Sequence, residues 1–124
     1  MKSFGETIFS PEKASGEAIS KVESHTPKID VPEKVRVDEE FTLKIKVGPH
    51  PNTVQHSIRS IEVYFYEEGR KFNPIHIATI TLAPEYTEPD VSLKLKLKRS
   101  GTIYVIEYCN LHGLWENRKQ IKVE

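Results

Sequence analysis

Two short segments hold residues whose types and spacing suit metal ligation: His50-Pro-Asn-Thr-Val-Gln-His56, and Cys109-Asn-Leu-His112 followed by Gly113-Leu-Trp115. A thiolate and an imidazole separated by two residues can bind one ion from a single tight turn. His50 and His56 would stand roughly 20 Å apart on an extended strand, so a shared ion requires the segment to fold back. Pro51 holds His50 in extended geometry and Asn52 favours a turn, which makes a looped chelate feasible. Asn110 and the backbone amides after Cys109 could donate hydrogen bonds to the sulfur, a common means of tuning a metal thiolate. A c-type haem attachment is excluded, because its histidine directly follows a second cysteine and Cys109 is the only one. Taken singly, a cysteine at a strand end is usually a small buried hydrophobe, and a histidine an ordinary polar residue. It is their coincidence in turn-rich positions that points to a metal. His76, inside an alternating segment, reads as structural.

The segments that must position these residues read as strands. Phe41 to Val47 alternates strictly, with Phe41, Leu43, Ile45 and Val47 on one face and Thr42, Lys44 and Lys46 on the other. Val91 to Leu97 repeats the pattern, and the turn Arg99-Ser-Gly101 predicts Thr102 to Tyr108 as its hairpin partner. Ile58 to Tyr66, Ile75 to Leu82, Lys119 to Val123 and Val31 to Val37 complete the set. Short strands between Pro and Gly turns, with little helical periodicity, predict an all-β fold: an immunoglobulin-like antiparallel β-sandwich. Residues 1–22 read as an irregular N-terminal arm, with one helix signal at Ser10-Pro11-Glu12-Lys13. The expected organisation is a single domain over 1–124, with residues 23–124 carrying the metal-binding sandwich.

Composition narrows the function classes. Lys and Arg number 18 against 18 Asp and Glu, a net charge of +0 that disfavours a nucleic-acid binder. No stretch approaches the roughly 20 apolar residues of a membrane span, and Met1 to Lys13 lacks the apolar core of a secretory signal. With its one unpaired cysteine, the chain is expected to be cytoplasmic.

The ligand segments, extended to Glu116, resemble those of the superoxide reductase family, the neelaredoxin and desulfoferrodoxin group. Glu23-Ser24-His25-Thr26-Pro27 resembles that family's first ligand loop. Lesser similarities lie at Ile61 to Phe65, Tyr86-Thr-Glu-Pro89 and Arg99-Ser-Gly-Thr102, and the whole runs from about Glu23 to Asn117. The resemblance implies one mononuclear non-haem iron per chain. His25, His50, His56 and His112 would be its equatorial ligands, Cys109 its axial ligand, and Glu23 the sixth ligand in the ferric state only. It implies one-electron reduction of superoxide to hydrogen peroxide, re-reduction by rubredoxin or a similar small electron donor, and a homo-oligomer, dimer or tetramer. With a single cysteine the chain resembles the one-iron class rather than the form with a cysteine-rich iron domain. Ser24 departs from the family pattern, which usually has there a lysine that attracts superoxide and helps deliver protons. Lys21 and Lys28 are the neighbouring candidates for that charge.

The main alternative is a cupredoxin-like copper electron-transfer protein, also a β-sandwich with a His2Cys site. It leaves two histidines unused and lacks the usual axial methionine, since the only Met is Met1. A non-catalytic immunoglobulin-like module or a cysteine hydrolase explains fewer of these residues still.

Overall fold

The computed structural model describes all residues, Met1–Glu124. Eight strands follow one helical turn: α1 (Val22–His25), β1 (Lys28–Asp30), β2 (Lys34–Val35), β3 (Phe41–Lys46), β4 (Ile58–Glu67), β5 (Ile75–Thr81), β6 (Asp90–Leu95), β7 (Gly101–Cys109) and β8 (Gly113–Val123). They form a three-stranded sheet, β1-β3-β6, and a five-stranded sheet, β2-β8-β7-β4-β5. The alternation in β3 does what its pattern predicts: Phe41, Leu43 and Ile45 are buried, while Lys44 and Lys46 face solvent. Leu43 and Ile45 meet Ile61, Val63, Phe65, Ile103 and Val105 in one core between the two sheets. The expected β-sandwich is therefore present.

Three details differ from the sequence reading. β6 and β7 are not hairpin partners: β6 pairs with β3, whereas β7 lies between β4 and β8 in the other sheet. Period-two alternation fixes which side chains face the core but not which edge a strand joins. Buried Leu97 lies in the connection by which the chain changes sheet. The segment Val31 to Val37 is not one strand, because Pro32 has no N–H to offer and β1 and β2 fall on either side of it in different sheets. β2 pairs with β8 in parallel, the one strand pair that departs from the antiparallel expectation.

The arm is irregular but docked. Residues Phe4–Thr7 and Gly16–Lys21 form 3-10 turns. Ser10 does cap a turn, its hydroxyl accepting from the Lys13 N–H at 3.3 Å, yet the chain leaves the helical region before Gly16, which sits at φ +59°. Phe9 lies beside β8, donating to the Leu114 carbonyl at 2.9 Å and accepting from the Glu116 N–H at 2.8 Å. Phe9 also stacks on Trp115 at 4.7 Å between ring centroids; β8 begins at Gly113, well before the predicted Lys119, because it pairs with β7 from Cys109 onward. No helix is long and apolar enough to cross a membrane.

Candidate metal centre

Four histidines and the cysteine come from three separate parts of the chain and meet at one end of the sandwich. α1 supplies His25, the connection between β3 and β4 supplies His50 and His56, and the turn between β7 and β8 supplies Cys109 and His112. The β3–β4 connection folds back as required: Thr53 and His56 exchange backbone hydrogen bonds of 2.9 and 3.2 Å. Gly48 makes this possible, because at φ +117° a Cβ there would stand 2.6 Å from the His50 backbone nitrogen. The second turn is closed by the Cys109–Gly113 pairing, with Gly113 at φ +83° immediately after His112.

The imidazoles form a ring in the order His25, His50, His56, His112. Neighbouring ring centroids lie 4.5–5.0 Å apart with the planes close to perpendicular, at 76–87°. His25 and His56 face each other across the ring at 6.4 Å with planes 27° apart. Ligand atoms of His25, His50, His56 and Cys109 all lie within 4.8 Å of one another. His112 is outside that mutually close group, but its Nδ1 is 3.1 Å from His25 Nε2 and 3.8 Å from Cys109 Sγ. His50 Nε2 lies 3.2 Å from His25 Nε2 and 3.6 Å from Cys109 Sγ. Nitrogens spaced by 3.1–3.2 Å along the edge of a square have a half-diagonal of about 2.2 Å, close to a metal–imidazole bond. His56 Nε2 is buried with no hydrogen-bond partner, a donor atom that a metal would satisfy. Four imidazoles and one thiol exceed the four ligands of a structural zinc site and suit a redox-active first-row metal.

Electrostatics favour neutral ligands here. Burial, followed by the nearby His50, lowers His25 to about 4. Burial likewise lowers His50 and His112. It raises the Cys109 thiol, opposed in part by the N–H groups of Leu111 and His112 directed at the sulfur. A bound cation reverses that preference, since a coordinated thiol is deprotonated outright. The backbone amides thus do what the sequence suggests, but Asn110 does not. Its Oδ1 accepts from the Ser57 N–H at 2.9 Å and its Nδ2 donates to the Gln55 carbonyl at 2.9 Å, tying the Cys109 turn to the His56 loop.

Sequence reasoning missed further hydrogen bonds that hold the ligand loops. Arg59 donates to Ser57 Oγ at 2.7 Å and to the Val54 carbonyl. Asn52 joins the His50 loop to the chain after β5, accepting from the Glu85 N–H at 2.8 Å and donating to Glu88 Oε1 at 3.2 Å. Trp115 donates to the His112 carbonyl at 3.1 Å and packs 5.1 Å from the His25 ring. Pairing Asn or Arg side chains with distant carbonyls leaves no periodic signal; only Trp115, within the second motif, could have been flagged.

Glu23 lies on α1, exposed and outside the group of converging ligand atoms. Lys28 Nζ donates to the Gly48 carbonyl at 2.7 Å, beside the His50 loop, whereas Lys21 Nζ lies 3.7 Å from Glu17 in the arm. Cys109 itself is fully buried; it is Leu111, at the tip of its turn, that is exposed. His76 is remote from the ring and pairs with Glu62 at 3.2 Å.

The desulfoferrodoxin family profile matches residues 17–118, a span that takes in every residue of this ring. The chain belongs to the desulfoferrodoxin family. It is 63% identical to the solved superoxide reductase (neelaredoxin) from Ignicoccus hospitalis, covering 99% of this chain and 100% of that one at a TM-score of 0.94. It is 41% identical over 111 residues to the superoxide reductase of Pyrococcus furiosus, covering 78% of this chain and 87% of the relative. It is 33% identical over 119 residues to the neelaredoxin of Megalodesulfovibrio gigas, covering 84% and 91%. The copper alternative fails on the geometry, because four rather than two imidazoles converge and Met1 is fully exposed.

Proposed function

We infer that this chain is a superoxide reductase, an oxidoreductase that converts superoxide to hydrogen peroxide with one electron and two protons. The observation that carries this reading is the ring of four imidazoles beside one buried thiol, in a chain of this family. His25, His50, His56, His112 and Cys109 would together hold a single iron. Iron held there supplies a one-electron couple, alternating between ferrous and ferric.

The surrounding residues set the conditions for that chemistry. Burial keeps His25, His50 and His112 uncharged near neutral pH, so their lone pairs are free for ligation. The N–H groups of Leu111 and His112 hold the Cys109 sulfur and temper its electron donation. Cys109 and Trp115 are buried and exclude water from the inner side, so a small anion approaches from the side where His50, His56 and His112 are partly exposed. Protons reach it there from water. Glu23, exposed two residues before His25, is assigned as the residue that would complete the ligand set of the oxidised resting site. A small electron carrier such as rubredoxin would restore the reduced state. We further assign a cytoplasmic location, a dimeric or tetrameric assembly, and one domain in which residues 1–22 brace residues 23–124.

Pulse radiolysis of the reduced protein tests the reading. We expect one hydrogen peroxide per superoxide consumed, equal oxidation of the iron and no dioxygen. Dioxygen released at half the superoxide consumed would make the chain a dismutase and overturn the assignment.

A further inference from the structure

The four histidines of the ring are held in different ways. His25 and His50 are fixed through their rings, Nδ1 lying 3.0 Å from the Lys21 carbonyl in one and 2.7 Å from the Pro51 carbonyl in the other. His112 sits in the tight turn closed by Cys109 and Gly113, where its carbonyl accepts from Trp115 Nε1 at 3.1 Å. His56 Nε2 is buried without a partner, and the hydrogen bonds of this residue run through its backbone. Its ring therefore points where its α-carbon is held.

Two peptide groups flank that α-carbon, and only the two dihedral angles between them are free to turn. The Asn110 side chain grips both. Its Oδ1 accepts from the Ser57 N–H on one side of His56, and its Nδ2 donates to the Gln55 carbonyl on the other, each at 2.9 Å. The pattern has a direction: the N–H can only donate and the carbonyl only accept, so the side chain must present an oxygen at one end and an NH2 group at the other. Thr53 bonds the same two peptide groups from within the loop, which shapes the turn without placing it against Cys109. Arg59 reaches the Val54 carbonyl and Ser57 Oγ, neither of which belongs to those groups. The backbone link between the two ligand turns, from the Asn110 N–H to the Ser57 carbonyl at 3.3 Å, stops one peptide short of His56.

We propose that Asn110 is the positioning residue for His56, placing its imidazole against the Cys109 sulfur by holding the peptide groups on both sides of its α-carbon. One peptide bond joins Asn110 to Cys109, so the amide sets one ligand segment directly against the other. The inference rests on the reading of His56 and Cys109 as ligands of a single metal.

Two measurements on the full chain test this. The first is NMR of the histidine rings in the metal-free protein: Asn110→Ala should shift and broaden the His56 signals while those of His25 and His50 keep their wild-type positions. The second is the affinity for ferrous iron, measured anaerobically by competition with a chelator. Asn110→Ala should weaken it about 10-fold, the lower end of the range for supporting groups because Thr53 still shapes the loop. In a His56→Ala background the same substitution should add no further loss, since it acts through the residue already removed. An equal loss in both backgrounds, histidine signals that all move together, or a variant that matches wild type in both measurements would overturn the proposal. If His56→Ala binds iron as tightly as wild type, the ligand reading itself falls, and this proposal with it.

Discussion

Glu107 offers the sharpest test of the electrostatics beneath the site. It precedes Cys109 by two residues on β7 and faces the same core, between Ile61 on β4 and Trp115 on β8. Neither carboxyl oxygen has a hydrogen-bond partner, and the side chain is fully buried. Burial raises its pKa from an ordinary value near 4.5 to about 9. The folded protein therefore holds this proton at neutral pH while the unfolded chain releases it. The stabilisation tied to the retained proton is complete below about 4.5 and is lost as pH rises towards about 9. Each pH unit inside that window removes about 1.4 kcal/mol, so roughly 3 kcal/mol is lost between pH 5.5 and 7.5. Glu107→Gln keeps the side-chain volume and removes the titration. Urea unfolding of metal-free wild type and Glu107→Gln at pH 5.5, 6.5 and 7.5 isolates the effect, because the histidines are common to both. The variant's stability relative to wild type should rise by about 1.4 kcal/mol per pH unit. A difference that stays flat with pH would refute the reasoning and show that Glu107 ionises where it stands. A neutral Glu107 also spares the Cys109 thiolate a second negative charge in the same dry environment.

Two further outcomes follow from the geometry of the ring. His50→Ala and His56→Ala each remove one corner, and both should lose bound iron on gel filtration while keeping the wild-type far-UV circular dichroism; full iron occupancy would remove that histidine from the ligand set. Glu23 is exposed and outside the converging group, so Glu23→Ala should retain iron and alter mainly the visible spectrum of the oxidised protein. A spectrum unchanged across pH would mean that Glu23 is not the sixth ligand.

Much of this was legible in the chain itself, for identifiable reasons. Strand β3 could be read residue by residue because one face is core and the other is solvent, so Phe41, Leu43 and Ile45 had to alternate with Thr42, Lys44 and Lys46. His50, His56, Cys109 and His112 could be paired within their motifs because each pair shares a turn. That the two turns meet each other, and His25, depends on contacts between distant segments. Asn110 joins the two turns through the Gln55 carbonyl, and Asn52 reaches the Thr87 carbonyl, partners that carry no side-chain identity for a pattern to match. The sheet partner of β6 was misjudged for a related reason: the turn at Arg99-Ser-Gly101 marks a reversal of the chain but not a return to the same sheet. The start of β8 was missed because Gly113 to Arg118 carries no apolar alternation, its place being set by pairing with β7.

On the proposed reading, the four imidazoles and the Cys109 sulfur would together hold one iron. Metal analysis combined with the visible spectrum of oxidised wild type and Cys109→Ser addresses it most directly. The account predicts one iron per chain and a sulfur-to-iron charge-transfer band that Cys109→Ser abolishes. Copper in place of iron, no metal at all, or a band that survives the loss of the thiol would contradict it.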